Sequence, residues 1–289
     1  MIRALLLTSR PLSWVNTAYP FAAAFLLAAP RLDPLGVATL VIGTIFFLVP
    51  YNLAMYGIND VFDYESDLRN PRKGGVEGAL LRPVHHRATL WAASLLPLPF
   101  IVYLVVVGTG VSDLVLAISL FAVVAYSVKG LRFKERPFLD SLTSSTHFVS
   151  PAVFGLALAG AVPTASLIAL LLAYFLWGCA SHAFGAVQDI GADREAGIGS
   201  VATVIGARAT VRLALGLYVA AGVLLLLTPW PGPLAAILAL PYAANVAPWW
   251  SVTDADAAAA NRGWRRFLWI NYVTGFLVTL LLIWWALVR

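Results

Sequence analysis

Long apolar runs, repeated along the whole chain, restrict the possible folds more than any other feature. Hydrophobic residues make up 61% of the 289 positions and charged residues only 11%, whereas soluble domains carry about 25% charged residues. A bilayer core about 30 Å thick requires about 20 mostly apolar residues per helix, because lipid offers the backbone no other hydrogen-bond partners. The sequence therefore predicts an all-α, polytopic integral membrane protein.

About nine membrane-spanning helices are predicted, packed as one helical bundle that makes a single membrane domain of residues 1–289. The spans lie near 12–29, 36–58, 88–108, 112–129, 139–160, 164–188, 209–228, 233–250 and 265–288. No signal peptide is expected, because Arg10 and Pro11 interrupt the first apolar patch. The single cysteine, Cys179, lies in an apolar run and has no internal disulfide partner.

The basic residues are distributed unequally between the two sides of this layout. The N-terminus and the loops after the second, fourth, sixth and eighth spans contain 17 of the 19 Lys and Arg residues, which leaves Arg31 and Arg289 for the other side. The positive-inside rule then places the N-terminus in the cytoplasm and the C-terminus outside, in a multi-pass protein of the cytoplasmic (inner) membrane. The net charge of +5 therefore reflects topology, and no nucleic-acid partner is expected.

Two groups of acids follow apolar spans on the predicted cytoplasmic side. In "NDVFDYESD", Asn59, Asp63 and Asp67 are spaced by four residues, with Asp60 beside them. If the second span stays helical past Gly57, this spacing places all four side chains on one side of the helix. In "QDIGAD", Asp189 and Asp193 repeat the four-residue spacing.

Like charges at this spacing repel one another, so a bound cation is a natural reason for them. Oxygen ligands at a membrane edge suit Mg²⁺, which binds through a few carboxylates and fills its other positions with water and substrate phosphates. Basic residues in the neighbouring loops are suited to bind phosphate oxygens. These residues are Arg69, Arg72, Lys73, Lys129, Arg132 and Lys134.

Two alternatives to a magnesium site remain open for these acids. The acids are either solvated loop residues beside topology-setting basic residues, or ligands for a transported ion in a cation-coupled transporter. Transporter sites usually lie near the membrane midplane at broken helices. The acids here lie at one face beside basic loops, which favours an enzyme that binds a magnesium diphosphate.

The paired motifs "NDVFDYESD" and "DIGAD", together with the nine-span layout, resemble the UbiA superfamily of intramembrane prenyltransferases. This resemblance covers essentially the whole chain. It implies a helical bundle with a central cavity that opens sideways to lipid and is capped by the cytoplasmic loops. It also implies that Asn59, Asp63 and Asp67 form one magnesium cluster, with Asp60 in the same catalytic motif, and that Asp189 and Asp193 form the other.

The resemblance also assigns residues to the diphosphate. Arg10, in "SRPLSW", matches the basic residue near the first span of the family, and "AYSVKGLRFKERP" matches the tyrosine-serine motif that precedes basic residues. The expected diphosphate-binding residues are therefore Arg10, Arg72, Lys73, Tyr126, Ser127, Lys129, Arg132 and Lys134.

Several longer phrases, including "RFKERPFLDSLTSSTHFVSPA" and "GAVQDIGADREAGIGSVATVIGAR", resemble the bacterial lycopene elongases within this superfamily. That resemblance implies Mg²⁺-dependent transfer of dimethylallyl groups from dimethylallyl diphosphate to the ends of lycopene, giving carotenoids of forty-five and fifty carbons. Other carotenoid enzymes are possible partners in the membrane. A transferase with an aromatic quinone precursor as acceptor is the nearest alternative.

An allylic cation must be kept from water and stabilised, and the faces of aromatic rings do this. The residues expected to line such a pocket, or to accept the final proton, are Tyr56, His147, Phe148, Tyr174, Trp177 and His182. Helix packing and interfacial aromatic belts are the competing interpretation for each of them.

Overall fold

Helices account for all the regular structure in the described part of the chain, which comprises residues 1–29, 32–68 and 80–288 of a computed structural model. For Ser66 and Asp67 only the backbone is described. The helices form two compact units. The first contains residues 1–133 and 146–162, and the second contains residues 134–145 and 163–289.

The first unit contains eight whole α-helices and part of a ninth, among the residues described. They are α1 (Ile2–Thr8), α2 (Val15–Ala28), α3 (Pro34–Leu48), α4 (Pro50–Phe62), α5 (Tyr64–Asp67), α6 (His86–Leu95), α7 (Leu98–Val107), α8 (Gly110–Ser127) and the C-terminal part of α9 (Leu139–Leu158). Pro34 and Pro50 stand at the first positions of α3 and α4, where the missing proline N–H costs no helical hydrogen bond.

Aromatic packing forms the core of the first unit. Phe21, Phe47 and Phe154 are fully buried and lie within 6 Å of one another, measured between ring centroids. Gly57 is buried on α4, and a Cβ there would lie 3.1 Å from Thr89 and 3.5 Å from Thr8. Because Gly57 has no Cβ, α1 and α6 can pack closely against the helix that carries the first acidic motif.

The second unit contains the start of α9 and five further α-helices. These are α10 (Ala165–Val187), α11 (Ile190–Glu195), α12 (Val201–Leu225), α13 (Ala239–Val246) and α14 (Asn261–Leu287). The core lies between α10, α12, α13 and α14, where small residues such as Ala180 and Ala214 are completely buried beside Phe184 and Tyr218. Alanines at these positions allow the helices to approach closely, as is common between membrane helices.

Six of the helical segments are long and apolar enough to cross a membrane, in the part of the chain that is described. They are Pro34–Phe62, Pro83–Val107, Gly110–Ser127, Ala165–Val187, Val201–Leu225 and Ala257–Leu287. The three other predicted spans coincide with helix α2, helix α9 and the broken segment Gly232–Trp249. The all-helical class is confirmed, and nine crossings stay a prediction.

The start of the seventh span was predicted too late in the sequence. Helix α12 begins at Val201, because Ser200 and Thr203 form a capping box around its first turn. Its backbone leaves the helical region at Gly206, where φ is +79° and ψ is 163°. The "TVIGAR" stretch therefore forms a helical turn and a break, although its glycine suggests a loop.

Candidate active site

The first acidic motif lies where a membrane helix ends. Helix α4 continues past Gly57, as expected, and Asn59 and Asp60 lie in its last turn. It ends at Phe62, so one continuous helix does not carry all four side chains of the motif. Asp63 is the C-cap, with φ −98° and ψ −3°, and its N–H donates to the Asn59 carbonyl at 2.9 Å. The chain then forms the short helix α5 up to Asp67.

The second motif repeats this local structure in the other unit. Helix α10 ends at Val187, and Asp189 precedes α11 with φ −96° and ψ −6°, close to the values at Asp63. The Asp193 N–H donates to the Asp189 carbonyl at 2.8 Å, which preserves the four-residue turn. In each unit an apolar helix therefore ends one or two residues before an aspartate that leads into a short, polar helix.

Arg10 and Asp60 form an ion pair within the first unit. Arg10 Nη2 lies 2.8 Å from Asp60 Oδ1, and the Asp60 side chain is fully buried while that of Arg10 is 22% exposed. The guanidinium also lies 4.2 Å from the ring centroid of Tyr56. Burial of a carboxylate without a partner is costly. The ion pair therefore stays formed and holds Arg10 beside the first motif.

Two further residues predicted to bind diphosphate contact the same motif. Arg132 Nη2 lies 3.6 Å from Asp63 Oδ1, and the Ser127 hydroxyl donates to Asn59 Oδ1 at 3.0 Å. Asp63 is 7% exposed. The end of α8 and the loop after it therefore place hydrogen-bond donors and positive charge beside the acids of α4.

The backbones of both arginines are in the left-handed region. Arg10 has φ +50° and Arg132 has φ +41°, and Phe138 is the other non-glycine residue with positive φ in the described ranges. This backbone conformation is uncommon for residues other than glycine. It persists where the surrounding structure holds it in place, often at functional sites. Strain at both arginines that contact the motif supports a functional role for the pair.

In the second unit, buried Asp140 is a residue that sequence reasoning missed. Its two oxygens accept hydrogen bonds from the N–H groups of Ser141 and Val201, both at 2.8 Å, and Oδ2 lies 3.8 Å from Nε2 of His182. The carboxylate thereby ties the start of α9 to the start of α12. Its position at the start of a predicted span was the only available signal, and such a position is also typical of an ordinary helix cap.

Three of the predicted pocket residues have aromatic neighbours, namely His147, Tyr174 and Trp177. His147 is 3% exposed on α9, and its ring meets the ring of Tyr126 edge-on at 5.2 Å. Trp177 stacks on Tyr174 at 5.7 Å and on Phe267 at 6.1 Å. These contacts are those of packed helices, and the proposed role in stabilising a cation stays a prediction.

The remaining predicted residues are distributed over several elements. Phe148 lies on α9, Lys129 follows α8, and Lys134 lies in the 3-10 turn Phe133–Glu135. Arg72 and Lys73, like Arg69, lie outside the described residues.

The donor atoms of the two motifs are all oxygens, from carboxylates and the Asn59 amide, and this set fits Mg²⁺. Within the described residues, no three His, Cys, Asp or Glu side chains are grouped to hold a metal ion. The described carboxylates are Asp60, Asp63 and Glu65 in the first motif, and Asp189 and Asp193 in the second. The side chain of Asp67 is not described.

Comparison with known proteins decides the family. Residues 17–273 match the UbiA prenyltransferase family. The chain belongs to the UbiA family. It is therefore a prenyltransferase, as the motifs predicted. The chain is 61% identical over all of its 289 residues to the "C(50) beta-cyclic carotenoids biosynthesis protein LbtBC" of Dietzia sp., of whose length it spans 66%.

A second relative has nearly the same length as this UbiA protein. The "Lycopene elongase/hydratase" of Corynebacterium glutamicum is 54% identical over 282 residues, which cover 98% of this chain and 97% of the relative. Among solved structures, a UbiA homolog from Archaeoglobus fulgidus bound to GPP and Mg²⁺ superposes with a TM-score of 0.71 at 18% identity, covering 94% and 99% of the two chains. At that identity the likeness shows the fold.

Proposed function

We propose that the protein transfers dimethylallyl groups from dimethylallyl diphosphate to the ends of lycopene, giving carotenoids of forty-five and fifty carbons. The observation that carries this proposal is the 54% identity to a lycopene elongase/hydratase over nearly the full length of both chains. A UbiA homolog from Archaeoglobus fulgidus that has the same fold was solved bound to DMAPP and Mg²⁺. The acidic and basic residues of both motifs are chemically suited to such a ligand.

The proposed metal ligands are Asn59, Asp63, Asp67, Asp189 and Asp193. Mg²⁺ bound there would neutralise charge on the diphosphate as it leaves. Asp60 holds Arg10 by the ion pair at 2.8 Å, and Arg132 lies beside Asp63. In this proposal both arginines donate to phosphate oxygens, together with Arg72, Lys73, Tyr126, Ser127, Lys129 and Lys134.

The reaction breaks the bond between the dimethylallyl carbon and the diphosphate oxygen, and the electron pair leaves with the diphosphate. The terminal double bond of lycopene attacks the allylic cation and forms the new carbon–carbon bond. The resulting tertiary cation loses a proton or takes up water, and the two products differ by one water molecule. Donors aimed at the leaving group lower the barrier most, because charge develops there in the transition state.

Side chains on three helices are proposed to shield and stabilise the cations. Tyr56, Phe148, Tyr174 and Trp177 offer ring faces, each worth about 0.5–2 kcal/mol to a nearby cation. His147 and His182 are candidate acceptors of the final proton. Tyr174 and Trp177 also stack on each other, so replacement of either ring changes helix packing as well.

In the membrane we propose nine crossings within one domain, with the N-terminus in the cytoplasm and the C-terminus outside. The site then faces the cytoplasm, where a soluble diphosphate is supplied, while the apolar acceptor enters from the bilayer. Other carotenoid enzymes in the same membrane are the proposed partners.

The test uses membranes that contain the protein, dimethylallyl diphosphate, Mg²⁺ and lycopene, with the carotenoids separated by chromatography. We expect longer carotenoids with the native protein and none when EDTA replaces Mg²⁺. Asp63→Asn and Asp189→Asn should lower the rate by at least about 100-fold, the range in which groups that stabilise transition-state charge act. Asp33→Asn, at an exposed helix cap, is the matched control.

The acceptor is tested in the same membranes. If lycopene is unchanged while an aromatic quinone precursor is prenylated, the acceptor proposal is wrong and the aromatic alternative is correct. Membership of the UbiA prenyltransferase family makes the chain an enzyme, which argues against the alternative of a cation-coupled transporter.

A further inference from the structure

We propose that the segment 254–261, which leads into α14, is a brace that positions the second acidic motif through side-chain bonds to residues on both sides of it. The inference rests on the proposed function, because it takes Asp189 and Asp193 to be metal ligands. The positioning residues are Gln188, Arg194, Asp254 and Asn261, and none of them is a proposed metal or diphosphate ligand.

The first tether lies directly after Asp193. Arg194 Nη1 donates to Asp254 Oδ2 at 2.7 Å, so the residue next to a proposed ligand is tied to a carboxylate sixty positions away. The same guanidinium donates from Nη2 and Nε to the carbonyl of Thr203, at 2.8 and 3.3 Å. Three bonds from one rigid, planar group fix its direction more closely than a single ion pair would.

The first tether also spans the break in α12. Asp254 Oδ1 accepts a hydrogen bond at 2.7 Å from the N–H of Ala207, the residue directly after Gly206. Arg194 donates to the carbonyl of Thr203, which lies before Gly206. The hydrogen bond from Ala207 and then that from Arg194 hold the pKa of Asp254 below its usual range. The carboxylate is therefore charged at neutral pH, and the break and the motif share one set of polar contacts.

The second tether lies directly before Asp189. Asn261 Nδ2, at the first residue of α14, donates to Gln188 Oε1 at 2.5 Å. The amide of Gln188 in turn donates to the Gly185 carbonyl at 2.9 Å, within the last turn of α10. Both tethers start from the same segment of chain and lie on either side of the short helix α11.

Geometry indicates positioning more than stability as the role of these contacts. The Arg194 and Asp254 side chains are 46% and 41% exposed, and exposed ion pairs contribute little to folding. Groups that orient metal-binding carboxylates without touching the metal nevertheless change metal affinity by about 10-fold to 100-fold when removed. The brace therefore predicts weaker metal binding in a protein that remains folded.

The test compares Arg194→Gln, Asp254→Asn and Asn261→Ala with the native protein in lipid nanodiscs. Asp256→Asn is the matched control, because Asp256 is an acid of the same loop that accepts a hydrogen bond from Thr253 at 2.8 Å. Binding of Mn²⁺ with inorganic pyrophosphate is measured by electron paramagnetic resonance. Hydrogen–deuterium exchange of residues 188–198 and the thermal midpoint are measured on the same samples.

We expect the Mn²⁺ dissociation constant to rise about 10-fold in each of the three variants, with faster exchange in residues 188–198 and an unchanged thermal midpoint. The double variant Arg194→Gln/Asp254→Asn should change the Mn²⁺ dissociation constant by less than the product of the two single effects, because both substitutions remove the Arg194–Asp254 contact. Native-like exchange of residues 188–198 in all three variants would overturn the brace, whatever the metal does. If Asp189→Asn abolishes Mn²⁺ binding while the three variants keep native affinity, the brace is wrong and the proposed function is unaffected. If the native protein itself binds no Mn²⁺ with pyrophosphate, the proposed function is wrong.

Discussion

Arg10 and Asp60 form a buried ion pair beside the first acidic motif. Removal of one partner from a buried pair costs about 3–5 kcal/mol, because it leaves an uncompensated charge. Since Arg10 is partly exposed, we expect Asp60→Asn to destabilise the protein by an amount near the lower end of that range. The double variant Arg10→Gln/Asp60→Asn should lose less stability than the single variant, as measured by equilibrium unfolding in mixed micelles. A double variant less stable than Asp60→Asn would contradict the pairing.

Asp140 supports a second prediction at this scale. Its carboxylate accepts two backbone hydrogen bonds while completely buried, and an asparagine amide accepts at only one of its two terminal atoms. Asp140→Asn should therefore cost about 1–3 kcal/mol of unfolding free energy. Asp33→Asn, at an exposed N-cap, should cost almost nothing, because both residues cap helices equally well. Equal effects in the two variants would show that Asp140 does not join α9 to α12.

Individual residues were predictable from the sequence where the signal is local. The spacing of Asn59 and Asp63, and that of Asp189 and Asp193, is set by consecutive turns of chain, so periodicity brings those positions together. The contact between Arg194 and Asp254 joins residues sixty positions apart. It depends on where α14 begins relative to α11, and no local pattern carries that information.

Helix α12 shows how elements respond to one residue. Gly206 adopts φ +79°, and a Cβ there would lie 3.2 Å from Asp254 Oδ1. Gly206→Ala should therefore cost about 1–3 kcal/mol through backbone strain. Gly216→Ala in the same helix adds a Cβ that meets nothing within 4 Å, and it should leave the thermal midpoint unchanged or slightly raised. If both variants unfold at the same temperature, the break at Gly206 is not required by the fold.

Elements could be predicted well wherever an apolar run is continuous. The sixth span was expected at 164–188 and forms Ala165–Val187, because Thr164 caps its start and polar residues follow its end. The seventh was expected from residue 209 and begins at Val201. Its first turns are held by the Ser200 cap and by the Val201 bond to Asp140, and the second of these is a tertiary contact.

The distribution of Lys and Arg residues predicts one orientation of the whole protein in the membrane. A Cys179→Ala protein provides a background without thiols, since Cys179 is the only cysteine. In that background Val162→Cys, in an exposed loop, should react with a membrane-impermeant thiol reagent added to intact cells. Thr253→Cys should react only after the cells are opened. The reverse pattern would invert the topology and place the acidic motifs outside the cell.

The proposed function requires that the two acidic motifs hold one magnesium diphosphate together. An experimental structure with Mg²⁺ and a non-cleavable thio analogue of dimethylallyl diphosphate tests this claim directly. We expect Asp63 and Asp189 both to coordinate metal ions on the same diphosphate, with Arg10 and Arg132 donating to its oxygens. A diphosphate bound by one motif alone, or motifs on opposite sides of the membrane, would contradict it.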